Sequence, residues 1–343
     1  MGKKIINKER VYGLDLIRCL AFLFVVTFHS FLNNGHSYVE QIGATVWIAD
    51  TFRFLSISCI GLYLMLSGYL KCENTDIKSC YRGIVSVLVG YLLACAVCIP
   101  LRHFVFDQVY TFGDWIKKVF DFTAISYGWY VEMFIGLSLL VPFINMALKY
   151  IGNDKKQLYI LAAALLFMTA LPGATKWNIA PDYWRITYPI TYYVLGAIVY
   201  KLRPKVNPWL GLCGALMSAG ILGMHTVLTT DDNYKNFVPQ REFQDIWIVV
   251  IVVFIFVALY RVNVPKKLGR VLAVMSTGCY CGYLLSSVFD CWVYKLFPQF
   301  KTPDKYWLLF ICATIPIFIA SMLGGVLLQK LTDVMVPKKK KSN

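Results

Sequence analysis

The chain has 343 residues, 58% of them hydrophobic and only 15% charged, with a formal net charge of +15. The charges sit in short clusters between long apolar runs, so they cannot clothe a soluble surface of this size. Disordered, collagen-like, coiled-coil and disulfide-rich secreted classes are excluded, and no basic domain is gathered for nucleic acid. What remains is an all-α polytopic integral membrane protein whose first partner is the lipid bilayer.

A membrane-spanning helix needs roughly 20 apolar residues. About ten segments qualify by apolar run. In chain order they lie near Leu14–Phe31, Val46–Leu70, Ile84–Leu101, Trp129–Leu148, Leu158–Leu171, Ile186–Leu202, Leu210–Val227, Ile246–Tyr260, Val271–Phe297 and Trp307–Leu328. The fifth is the shortest. With the N-terminus inside, alternate connections hold 22 of the 34 Lys and Arg residues, against 11 in the other set, with Arg18 inside a span. That bias predicts an even number of crossings with both termini cytoplasmic.

One membrane domain is expected over 1–343, with a short cytoplasmic N-terminus at 1–11 and a basic cytoplasmic tail at 336–343. The Lys338 to Lys341 run reads as a membrane flank. The first apolar run is too long for a signal-peptide core and carries Asp15, Arg18 and His29, so no cleaved leader is expected. Between the third and fourth segments, Trp115, Ile116, Val119 and Phe120 have the spacing of an interfacial helix. Cys95, Cys98, Cys279 and Cys281 lie in apolar runs without His or acidic neighbours. They read as small packing residues, and no metal site is expected.

An ionisable group inside a bilayer costs about 3 kcal/mol or more and needs a reason. The first segment carries three. Asp15 and Arg18 are about 60° apart around a helix and His29 falls between them, so all three share one face. Two readings of Asp15 and Arg18 stay open: an i,i+3 pair that anchors the helix, or a functional cation oriented by its acid. His29 can exchange a proton near neutral pH, or be a satisfied structural imidazole. Asp50, Arg53, Glu132, Arg185 and Asp290 gather near the outer ends of spans, with Trp129 sharing a face with Glu132. Together they are expected to line an outward polar cavity; singly they are helix-end charges. Lys71, Lys78 and Arg82 are ordinary inside charges unless they converge with Arg18 on a phosphate.

These residues carry a resemblance. Asp15-Leu-Ile-Arg18-Cys-Leu-Ala21, with His29 eleven residues after Arg18, resembles the first-helix signature of membrane acyltransferase family 3, which contains polysaccharide O-acetyltransferases. Gly61 to Leu70, ending Ser67-Gly68-Tyr69-Leu70, resembles its second-helix motif. The basic entry Lys78 to Arg82 follows, then Trp129-Tyr130 and Leu139-Leu140-Val141-Pro142. Tyr192-Tyr193-Val-Leu-Gly196 and Tyr283-Leu284-Leu285-Ser286 fit later landmarks. Gly128 stands where the family often has a histidine before its tryptophan, and Ser286 replaces a late histidine.

The resemblance implies transfer of an acyl group, usually acetyl, from cytoplasmic acyl-CoA to a hydroxyl on an extracytoplasmic or lipid-linked glycan. It implies a bacterial-type cytoplasmic membrane. Acetyl-CoA is then the donor, and a glycan or polysaccharide is the acceptor. Arg18, with Lys71, Lys78 and Arg82, would hold the donor's phosphates. Ser67 and Gly68 would let its acyl-carrying arm pass close to the backbone. His29 would be the general base, and Asp15 would orient Arg18. Glu132 or Asp290 would tune His29 or meet the sugar, beside Arg53, Trp129 and Arg185. Direct transfer and an acyl-enzyme both stay open. The rival expectation is a secondary transporter or exporter of a glycan or small polar substrate, which ten spans with buried charges would suit equally well.

Overall fold

The computed structural model describes residues 10–33, 43–105, 108–174, 180–229, 243–296, 308 and 310–336. The expectations placed on residues 1–9 and on Lys338 to Lys341 lie outside the described residues. Among those described there is no strand. Twelve α-helices occur: α1 Tyr12–Asn33, α2 Ala44–Ser56, α3 Cys59–Lys71, α4 Ile77–Val105, α5 Phe112–Phe120 and α6 Trp129–Ile151, followed by α7 Lys155–Ala174, α8 Tyr188–Leu202, α9 Pro208–Thr229, α10 Ile246–Leu259, α11 Lys266–Leu296 and α12 Ile315–Met335. A 3₁₀ turn, Asp182–Thr187, precedes α8, and a π turn, Phe310–Thr314, precedes α12.

Over its described residues, each of the ten expected segments falls largely on helix. The second is not one helix but two. Ser56 and Ser58 turn their hydroxyls back onto the Arg53 and Leu55 carbonyls, at 2.7 and 2.6 Å, and α2 ends where these local bonds compete with the helical ladder. Among the described residues seven stretches are long and apolar enough to cross a bilayer, counting Ala44–Lys71 as one. Three expected segments fall outside that set: α7, with 20 residues, and the two short ones, α8 and α10, which have 15 and 14. At 1.5 Å per residue the two short ones reach roughly 21–23 Å, against a hydrocarbon core of about 30 Å.

Contacts fix the helix directions. Gly269 packs on the Tyr12 ring, so α1 and α11 start at the same face. Gly278 meets Val326 and Gly282 meets Ser321, so α12 runs antiparallel to α11 and ends at that face. Asn145 Nδ2 donates to the Lys71 and Asn74 carbonyls at 2.8 and 2.7 Å, joining the ends of α3 and α6. Lys201 approaches Glu73 at 3.8 Å, and the Tyr260 hydroxyl donates to the Pro204 carbonyl, bringing the ends of α8 and α10 alongside. The long segments therefore alternate in direction. One face collects Arg10, Lys71, Lys149, Lys155, Lys201, Arg203, Arg261 and Lys266; it is called the basic face below.

Small residues let the helices close up. Gly68 lies against the Tyr193 carbonyl and Gly196 against that of Met65, so α3 and α8 cross with no room for a side chain at either point. The core inside is aromatic and aliphatic, built around Phe22, Met65, Tyr192, Tyr193 and Phe256. Outside, Leu216, Ile221, Val274, Leu323 and Leu327 are more than half exposed, an apolar girdle that water would penalise and lipid accepts. The four cysteines singled out from sequence are buried free thiols. The short helix expected near Trp115 is α5. Thr111 and Asp114 close a capping box at its start. Trp115 is buried, while Phe112, Ile116 and Phe120, four residues apart, form its exposed apolar stripe.

Candidate active site

A cavity of about 1000 Å³ opens at the basic face. Its walls come from α1, α3, α4, α6, α11 and α12. Arg18, Ser67, Lys71, Lys78 and Arg82 all line it, with Tyr63, Phe134, Tyr130, Tyr280 and Tyr283 around its apolar interior. Four cations there face two carboxylates, Asp76 and Asp333, so the lining carries an excess of positive charge suited to an anion. Its volume lies at the upper end of ordinary ligand sites, which span about 300–1,000 Å³.

The structure does not make the expected Asp15–Arg18 pair. Arg10, folding back from ahead of α1, grips Asp15 through Nε and Nη2 at 2.7 and 2.8 Å. Ser276 on α11 donates to the same carboxylate at 2.6 Å. Asp15 is thereby saturated and ties α1 to α11. Arg18, one turn on, has no ion pair or hydrogen bond among the described residues and contributes to the cavity wall. Gly68 also departs from expectation. Its bare Cα faces Tyr193 rather than the cavity, so its smallness serves helix packing.

His29 lies about 16 Å further along α1 than Arg18, toward the opposite face. Its Nδ1 is 2.9 Å from the Val25 carbonyl. A carbonyl can only accept, so neutral His29 carries its proton on Nδ1 and leaves Nε2 with a lone pair. The ring stacks on Tyr127 with centroids 3.9 Å apart. The Tyr127 hydroxyl donates in turn to Asp290 Oδ2. Asp290 is 2% exposed, and its other oxygen has no hydrogen-bond partner among the described residues. Asp290 thus reaches His29 through a tyrosine that the sequence reading overlooked.

Tyr127 sits in the connection just before α6, and two distant residues hold it. Tyr283 donates to its carbonyl at 2.8 Å. Arg102, buried near the end of α4, donates to the Ala124 carbonyl at 3.3 Å and to the Ser126 hydroxyl. Gly128 packs against the Phe122 carbonyl with no space for a side chain, which accounts for the absence of a larger residue there. Tyr283 also lines the cavity. Its ring is 5.7 Å from Tyr127 and 5.4 Å from Tyr130, and Tyr130 is 6.3 Å from Tyr63. A continuous set of tyrosine rings therefore leads from the basic cavity to His29.

The remaining outer residues divide. Arg53 is buried, with its guanidinium 6.0 Å from the Phe28 ring centroid and 5.3 Å from that of Phe54. Phe28 precedes His29 in the chain, and the Asp50 charge lies beside Arg53. Trp129 stacks on Phe243 at 5.8 Å. Glu132 is exposed and does not join His29. Two residues of helix turn it about 200° from the inward Tyr130. Arg185 pairs with Asp182 at 3.1 Å on the 3₁₀ turn packed against α7 and α8. The charges expected to line one outward cavity are thus not brought together: Asp290 reaches His29 through Tyr127 and Arg53 lies against Phe28, while Glu132 and Arg185 stand apart from them.

A family model described as an acyltransferase domain matches residues 11–328. No curated protein and no solved structure matches the chain.

Proposed function

Since the chain belongs to the acyltransferase family whose domain it carries over residues 11–328, we propose that this integral membrane enzyme takes an acetyl-type acyl group from acyl-CoA. The group enters at the basic face and goes to a glycan hydroxyl presented from the opposite face. In this reading ten segments cross a bacterial-type cytoplasmic membrane, with both termini and the basic face inside. The charge bias between alternate connections and the alternating helix directions support it.

The observation that carries the reading is Arg18. A guanidinium within a membrane helix, its neighbouring acid already taken by Arg10 and Ser276, lines a cavity with three further cations. The ligand such a wall recognises is a multiply charged anion with an apolar arm, which describes acyl-CoA. Acyl-CoA supplies an activated acyl carbon and a thiol leaving group.

The chain's own residues do the rest. Arg18, Lys71, Lys78 and Arg82 hold phosphate oxygens. The tyrosine-lined interior keeps water from the acyl-carrying arm. His29 Nε2 accepts the acceptor hydroxyl's proton as that oxygen attacks the acyl carbon, and returns the proton to the departing sulfur. Tyr127 holds the imidazole in plane, and the free oxygen of Asp290 accepts a hydroxyl of the sugar.

The test is thiol release from acetyl-CoA by detergent-purified protein, with a panel of glycan acceptors, comparing wild type and His29→Ala. Acceptor-dependent release by wild type should fall by about 10²- to 10⁴-fold in the variant, with donor binding retained. Equal release by both proteins would remove His29 from the reaction. No binding of acyl-CoA by folded wild type would overturn the reading.

A further inference from the structure

Tyr63 forms a row with Ser67 and Lys71 on α3, four residues apart, along one wall of the cavity. The row runs inward from the basic face. Tyr63 lies roughly 12 Å deeper than Lys71 by helical rise. Most hydroxyls of this wall are already used inside the protein. Ser67 donates to the Tyr63 carbonyl at 3.0 Å and Thr277 to that of Val274 at 2.7 Å. Tyr280 donates to the Val87 carbonyl and Tyr283 to that of Tyr127, both at 2.8 Å. The Tyr63 hydroxyl differs. Its oxygen is buried and has no hydrogen-bond partner among the described residues. The Cys279 thiol interacts with it, and a thiol is a weak partner.

A buried hydroxyl without a partner is costly, and native proteins rarely leave one so. A phenol at the inner end of a ligand cavity is satisfied when the ligand brings an acceptor oxygen. We propose that the Tyr63 hydroxyl donates a hydrogen bond to a carbonyl oxygen at the thioester end of the acyl donor, making Tyr63 a donor-binding residue. This rests on the cavity being the acyl-CoA site. The cations at the mouth and Tyr63 then divide the donor between them, with charge recognising the phosphates and the phenol recognising the acyl-carrying arm. No bond is made or broken by Tyr63.

The experiment compares Tyr63→Phe with wild type on two donors, acetyl-CoA and S-acetyl-N-acetylcysteamine. The second retains one amide and the thioester and lacks every phosphate. Phenylalanine keeps the ring and removes a buried unsatisfied hydroxyl, so the variant should fold, with a Tm at or above that of wild type. Its kcat/KM should fall by about 3- to 10-fold on both donors, the size of one neutral hydrogen bond. Lys78→Ala with Arg82→Ala should weaken acetyl-CoA alone. Unchanged kinetics of Tyr63→Phe on both donors would overturn the assignment, as would a loss confined to acetyl-CoA. Failure of wild type to use either donor would instead overturn the donor reading of the cavity, and this assignment with it.

Discussion

The two ends of the site are built differently. At the basic face the cations are several, come from three helices, and Lys71, Lys78 and Arg82 reach solvent. Around His29 the groups are set in defined places: Nδ1 on Val25, the ring on Tyr127, the Tyr127 hydroxyl on Asp290. Several solvent-facing charges in a wide opening capture an anion without demanding one geometry. A single imidazole placed by a stack and a backbone carbonyl gives one geometry and little tolerance. The mouth should therefore fail gradually and the inner end abruptly. Arg18 sits between the two regimes, being single, within a span, and aimed at the shared cavity.

The largest departure from a gradual mouth should come at Arg18. Arg18→Ala should raise the Kd for acyl-CoA by about 10- to 100-fold, the range for a charge-assisted hydrogen bond of about 1.5–3 kcal/mol. Turnover at saturating donor should change little. Calorimetric titration of both proteins reads this directly. Equal affinities would return Arg18 to the role of a membrane anchor.

A smaller effect separates the stack from the hydrogen bond at the inner end. Tyr127→Phe keeps the ring against His29 and strips Asp290 of its donor. Tyr127→Leu removes both. Phenylalanine should raise the acceptor KM by about 3- to 10-fold, as a single lost hydrogen bond would, leaving kcat near wild type. Leucine should lower kcat as well, because the imidazole loses its wall. If the two variants behave alike in both constants, the stack does not position His29.

Much of this architecture was legible in the chain. Apolar runs gave the segments, and the Lys and Arg bias gave their alternation, because both follow from composition over 15 or more residues. The convergence of Arg18, Ser67, Lys71, Lys78 and Arg82 was legible through motif resemblance. Helical periodicity set Asp15 beside Arg18, yet the acid's partners are Arg10 and, 261 residues away, Ser276. Periodicity fixes an angle on one helix and says nothing of what the neighbouring helix offers. Tyr127 was missed for a related reason. It lies in a connection, where no period applies, and only the Arg102, Tyr283 and Asp290 contacts bring it to His29. A lone acid such as Asp290 within a span demands a donor, and searching for one would have been the available signal. Glu132 shows the converse: an acid beside a motif tryptophan, turned away by two residues of helix.

The mildest prediction concerns the mouth itself. Lys78 and Arg82 are exposed, so their attraction for phosphate is shared with water and counterions. Replacing either by Ala should weaken acyl-CoA binding by about 2- to 5-fold in dilute buffer, within the range of roughly 0.2–1 kcal/mol for exposed charge pairs. The difference should shrink toward nothing as salt shortens the screening length to about 3 Å near 1 M. The Arg18→Ala defect should survive the same salt, because a cavity wall within the bundle is screened much less. Donor binding measured across a salt series for these three variants therefore tests the contrast itself. If all three lose their defects together, the cavity is one electrostatic surface from mouth to tyrosines, and the division between capture and placement falls deeper, at His29 alone.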